Sequence, residues 1–92
     1  DWTSFSNYGA YKVSQNQVSI NYNITGNGAQ FMQFGYLPKH LWPPFDYYLL
    51  VANQGSSTAD DTHLMIRASD GAVVLWAPKS GTKYAGTVSF VL

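Results

Sequence analysis

Residues 60–78 read DDTHLMIRASDGAVVLWAP. Two apolar runs flank Asp70-Gly71, the dipeptide that most strongly signals a hairpin over short range. With Asp70 and Gly71 as the two loop residues, Ser69 faces Ala72, and counting outward pairs Ala68 with Val73, Ile66 with Leu75 and Leu64 with Ala77. Those pairs are all apolar. Side chains alternate along a strand, so the opposite face carries Asp61, His63, Met65, Arg67, Val74 and Trp76. In this register Trp76 lies opposite Met65, with His63 and Arg67 as diagonal neighbours. A slip of one residue would mix the two sets, so their clean separation argues for two strands with one buried face.

Working outward, Val18, Ile20, Tyr22 and Ile24 alternate without error with Gln17, Ser19, Asn21 and Asn23, the pattern of a half-buried strand. Residues 8–13 alternate more loosely. Ser14-Gln15-Asn16-Gln17 between them predicts a hairpin that pairs Val13 with Val18 and Tyr11 with Ile20. Thr25-Gly26-Asn27-Gly28 tolerates positive φ and turns the chain again. Residues 29–37 and 45–52 read as further strands, 53–59 (NQGSSTA) as a polar loop, and Tyr84, Val88, Phe90 and Leu92 mark a last strand. No window holds a capped helical stripe. About seven or eight short strands separated by turn signals predict an all-β fold, a small antiparallel sandwich or barrel. Residues 35–45, GYLPKHLWPPF, interrupt the pattern, because Pro38, Pro43 and Pro44 forbid a continuous interior strand. They predict a stiff connection crossing from one sheet to the other, with Trp42 and Phe45 either lining a cleft or plugging the end of the sandwich.

Composition limits the partners. The 92 residues are 46% hydrophobic and 16% aromatic, which makes one small globular domain. A chain this short buries only roughly 60–65% of the surface its unfolded form exposes, and with no cysteine it has no disulfide to compensate. Oligomerisation is the remaining common source of stability. Four lysines, one arginine and five aspartates give net charge zero. Nucleic acid, which is held by clusters of Lys and Arg, is not expected as a partner. No apolar run approaches the roughly 20 residues that span a bilayer, so no membrane partner is expected either. A surface solvated by Asn, Gln, Ser and Thr suits work outside cells.

Three stretches together carry a resemblance: DWTSFSNYGAYKVSQNQVSINYNIT (1–25), the proline corner GYLPKHLWPPF (35–45), and THLMIRASDGAVVLWAPKSGTKYAGTVSFVL (62–92). This layout resembles the C-terminal head domains of siphophage receptor-binding proteins, found at the baseplate or tail tip of phages that infect lactococci, streptococci and related Gram-positive bacteria. The resemblance implies that residues 1–92 are a single receptor-binding head, the C-terminal piece of a longer fibre-like protein. It also implies a homotrimer of small β-sandwiches or barrels, located on the virion outside the host cell and attached to other baseplate or tail proteins. The implied ligand is a host cell-wall or surface saccharide, bound without cofactor and without catalysis. Carried over to this chain, the saccharide-binding residues are Asp61, His63, Arg67 and Trp76, with His40 and Trp42 as additions from a neighbouring subunit. The family tends to have an arginine after the tryptophan. Here Lys79 or Lys83 would have to substitute, and lysine lacks the planar two-point contact of arginine.

The chemistry of that face suits a sugar, since the apolar side of a pyranose lies on a flat ring and its hydroxyls need paired donors and acceptors. The same Met, Arg and aromatic residues are also enriched at subunit interfaces, and a site at a subunit boundary satisfies both readings. Two other functions stand beside adhesion. One is a structural trimerisation cap without a ligand. The other is a glycan hydrolase with a site between subunits, because Asp1, Asp46, Asp60, Asp61 and Asp70 provide no acid pair within one chain. Neither histidine sits in a nucleophile elbow or at metal-ligand spacing.

Overall fold

The alternating Val18-to-Ile24 stripe is the centre of the molecule. The computed structural model of the chain describes residues 1–51, 53, 54 and 62–92. Among these, nine strands form two antiparallel sheets: β1 (Thr3–Ser6), β2 (Gly9–Ser14), β3 (Gln17–Thr25), β4 (Phe31–Tyr36), β5 (Tyr47–Leu50), β6 (Asn53–Gln54), β7 (His63–Ile66), β8 (Ala72–Trp76) and β9 (Lys83–Val91). One sheet has the order β1-β2-β3-β9-β6 and the other β4-β8-β7-β5. The fold is an all-β sandwich, as the strand pattern predicts. Val18, Ile20, Tyr22 and Ile24 of β3, with Tyr84 and Phe90 of β9, form one wall of the core, and Leu64, Ile66, Val73 and Leu75 form the other.

The first hairpin has the predicted register, with Val13 paired to Val18 and Tyr11 to Ile20. Gln15 takes φ 56° to make the turn. β1 precedes this hairpin and carries no alternation strong enough to mark it as a separate strand. Its Phe5 closes one side of the sandwich. The ring lies 6.1 Å from Phe34, over Gly35, where a Cβ would stand 2.2 Å from Phe5 Cδ1. A bulge in β4 between Gln33 and Gly35 makes this possible, because the extra residue lets Phe34 and Gly35 both turn inward. On the other side, Tyr47 of β5 donates its hydroxyl to Val91 O of β9 at 2.8 Å. Beneath the sheets' far end, the buried Tyr84 hydroxyl accepts from Lys79 N at 3.0 Å and pairs with Thr62 Oγ1 at 3.2 Å. Burial without partners would be costly there, and this knot supplies them.

Four expectations are corrected. The β7–β8 loop has four residues, not two: Arg67 N donates to Ala72 O (3.0 Å) and Gly71 N to Arg67 O (2.8 Å), so residues 68–71 make the turn. Residues 35–45 do not change sheets. They carry the chain from β4 at one edge of the four-stranded sheet to β5 at its other edge, through a 3₁₀ turn at Lys39–Leu41. Phe45 does not plug the sandwich, being 60% exposed, whereas Trp42 packs on the core. Asn53 and Gln54, expected in a loop, pair with β9. The rest of that expected loop, apart from Asn53 and Gln54, lies outside the described residues.

The Gly71 geometry generates a stability test. Gly71 has φ +71°, and a Cβ there would meet the Trp42 ring at 2.3 Å, while Gly81 has φ +79° with open space around it. Gly81→Ala is expected to cost about 1–2 kcal/mol from backbone strain alone. Gly71→Ala should cost roughly 2–5 kcal/mol because overpacking adds to the strain. Denaturant unfolding of the two variants measures the difference.

Candidate functional site

Strand alternation sends one side chain in two of the four-stranded sheet into the core and the other outward. The outward residues line up across the strands in rows. Phe31 of β4 pairs with Trp76 of β8, Trp76 with His63 of β7, and His63 with Leu50 of β5. The next row runs Gln33, Val74, Met65, Tyr48. In the first row, the rings of Phe31 and Trp76 are 6.4 Å apart, and those of His63 and Trp76 are 6.0 Å apart. Water reaches most of this surface: Leu50 is 80% exposed, Tyr48 61%, Phe31 55% and Trp76 38%. Between the edges lies an open groove of ≈ 350 Å³, lined by Phe31, Gln33, Tyr48, Met65, Arg67 and Val74. Val74 and Met65 sit on the inner strands, while Phe31 and Tyr48 stand on the two edge strands. Three strand spacings separate those edges, roughly 14 Å.

The opposite outer face of the molecule differs in kind. There Ser19 Oγ and Ser89 Oγ share a hydrogen bond of 2.9 Å, and Asn21 Nδ2 donates to Thr87 Oγ1 at 3.0 Å. Both bonds join cross-strand neighbours of β3 and β9, so these four polar side chains satisfy one another.

The groove's polar end is held by the hairpin loop. Arg67 makes a two-point contact with Asp70, through Nε to Oδ1 at 2.9 Å and Nη2 to Oδ2 at 2.8 Å, and Nη2 also approaches Gln33 Oε1 at 3.4 Å. Asp70 Oδ1 additionally accepts Ala72 N at 3.1 Å. The hydrogen bond from Arg67, with the Ala72 amide, holds the Asp70 carboxyl below the usual carboxylate range, and the same bond raises Arg67. Both side chains are more than one-third exposed, so solvent screens the pair. Its role is orientation: a planar fork fixed at one edge points its remaining N–H groups in a set direction.

The two-residue change in loop length is even, so the predicted division into core and outer faces survives, but the neighbours change. Trp76 lies opposite His63, Met65 opposite Val74, and Arg67 falls two pairs away from Trp76 at the other end of the face. Of the sequence-derived site residues, His63, Arg67 and Trp76 share the outer face, and Arg67 alone lines the groove. Asp61 lies outside the described residues. His40 is exposed in the 3₁₀ turn. Trp42 donates Nε1 to Leu37 O at 2.9 Å and packs over Gly71, which makes it a structural support of the loop. His63 Nδ1 is buried and has no hydrogen-bond partner among the described residues. Phe31, Gln33 and Tyr48 were missed. Their alternation within residues 29–37 and 45–52 was readable, but not which strands they would flank. Among the described residues no group of three His or Asp side chains could hold a metal ion.

No protein-family model matches this chain, and no curated protein matches it either.

The Arg67–Asp70 contact has a defined pH dependence. A carboxyl held low in the folded state contributes stability that is present above its unfolded value and lost as pH falls through its folded value. The stability difference between the native protein and Asp70→Asn should therefore be full at neutral pH and shrink in acid, below the usual carboxylate range. Denaturation midpoints across acid pH check this, and a difference that grows on acidification contradicts it.

Proposed function

We propose that this domain is an adhesion module that binds a saccharide of a bacterial cell wall or surface, acting at the tip of a phage tail as the layout of its sequence suggests. The observation that carries the reading is the groove on the outer face of the four-stranded sheet. Apolar and aromatic surface is left open to water there, while the other outer face is knitted together by Ser, Asn and Thr. A contiguous exposed apolar surface rimmed by polar groups marks a place of contact. Aromatic walls suit the CH faces of sugar rings, and Gln33 with Arg67 offers amide and guanidinium donors for hydroxyls. No catalytic step is needed for this role.

A second reading rests on Leu50. A leucine so exposed beside the Phe31–Trp76–His63 row fits burial against another copy of the chain, and a homotrimer would cover apolar surface that one small sandwich leaves open. A groove bordering such a contact serves both ends, with His63 and Trp76 at its margin. Weak single sites would gain avidity from three copies per trimer and many trimers per virion.

Two measurements test these readings. Light scattering is expected to give three times the 10.2 kDa chain mass, and a monomer at micromolar concentration removes the trimer. Calorimetric titration with wall polysaccharides from Gram-positive bacteria should show binding that falls at least about tenfold in Phe31→Ala and Tyr48→Ala, equivalent to one aromatic contact of about 1.4 kcal/mol. Thr87→Ala, on the opposite face, should bind as the native protein does. Equal losses at Thr87 would mean the groove is not the binding surface.

A further inference from the structure

The polar end of the groove is electrically closed. Arg67 is the one cation among the residues that line it, and Asp70 occupies its Nε and one Nη2 hydrogen. Asp46, whose Oδ1 accepts the amide of the next residue, Ala68, at 2.7 Å, adds a second carboxylate within electrostatic reach of the guanidinium. One guanidinium and two carboxylates leave this cluster negative at neutral pH. Lys12, Lys39, Lys79 and Lys83 line none of the groove. What the site can still offer is neutral in character: the Gln33 amide, and Arg67 Nη1, which has no partner in the protein among the described residues. An incoming phosphate or carboxylate would compete with Asp70 for Arg67 and meet Asp46 besides, whereas a hydroxyl needs only the unused N–H groups and an amide oxygen.

Resting on the saccharide reading above, we infer that the groove selects uncharged, hydroxyl-rich sugars and rejects phosphate- or uronate-bearing ones. Phe31 and Tyr48 take the apolar ring faces, Gln33 and Arg67 take hydroxyls, and the pair Asp70 and Asp46 is the specificity element that repels anions. Asp70 has a double role here: it aims the guanidinium and cancels its charge.

The experiment titrates a panel of neutral and of phosphate- or uronate-bearing wall oligosaccharides into the protein by calorimetry, at low and at high salt. Neutral members are expected to bind with affinities that salt leaves unchanged, and anionic members at least about tenfold more weakly. Asp70→Asn keeps an acceptor for the Ala72 amide but frees the guanidinium, so it should gain about tenfold for the anionic members and acquire salt sensitivity. Asp46→Asn, which leaves the Arg67–Asp70 contact in place, should gain in the same direction by a smaller factor, and it serves if the first variant is unstable. A native protein that prefers anionic members, with affinity falling as salt rises, overturns the charge selection while the saccharide reading stands. Unchanged anion affinity in both variants also overturns it. Absence of binding to either class overturns the saccharide reading and this inference with it.

Discussion

The turn at residues 68–71 ties three parts of this molecule together. Its left-handed Gly71 sets the β7–β8 register, and the Gly71 carbonyl accepts Leu37 N at 2.8 Å, which ties down the start of the proline-rich connection. Trp42, further along that connection, fills the space that a side chain at 71 would need. Asp70, one residue earlier, aims Arg67 along the outer face. One backbone conformation thus links strand pairing, the passage from one sheet edge to the other, and the direction of the Arg67 side chain. Turn and groove are coupled through it, because a change in loop geometry moves Arg67 and the β4–β5 connection together.

The two outer faces show how a nearly uncharged domain manages its surface. On the five-stranded sheet, cross-strand Ser–Ser and Asn–Thr hydrogen bonds satisfy polar groups within the protein. On the four-stranded sheet six of the eight corresponding positions are Phe31, Trp76, Leu50, Tyr48, Met65 and Val74, and the other two are His63 and Gln33. Both faces belong to the same kind of twisted antiparallel sheet, so the difference lies in side-chain choice alone. Interspersed charge, the usual guard against association, is sparse across the chain. An apolar face kept open under those conditions carries a cost in solubility that contact with a ligand or another subunit would offset.

Much of this was legible in the sequence where the relevant physics is local. The alternation of Val18 to Ile24 located β3 and its buried face, and the Gln15-Asn16 turn gave the first hairpin residue for residue. At Asp70-Gly71 the signal gave the hairpin and the correct faces but the wrong loop length, since the Leu37 and Trp42 contacts that favour a four-residue turn come from another segment. The prolines at 38, 43 and 44 exclude an interior strand, and a 3₁₀ turn at Lys39–Leu41 stands in the connection instead, but its destination depends on sheet order, which proline content does not encode. The site was half legible for the same reason. His63, Arg67 and Trp76 follow from one hairpin, while Phe31, Gln33 and Tyr48 join them only because β4 and β5 flank that hairpin in space.

The longest ladder in the protein, β3 against β9, joins residues far apart in the chain, as the Ser19–Ser89 bond with its separation of 70 residues illustrates. Closing so large a loop costs entropy before any contact rewards it, and chains dominated by such pairings fold slowly, in milliseconds to seconds. During synthesis β1, β2 and β3 leave the ribosome early and can form their local hairpins, but one edge of β3 waits unpaired until β9 emerges. The buried stripe of β3 is exposed for that whole interval. In this protein the order of synthesis therefore opposes the order of stability, and the period before the last strand arrives is when the chain is most open to mispairing with its neighbours.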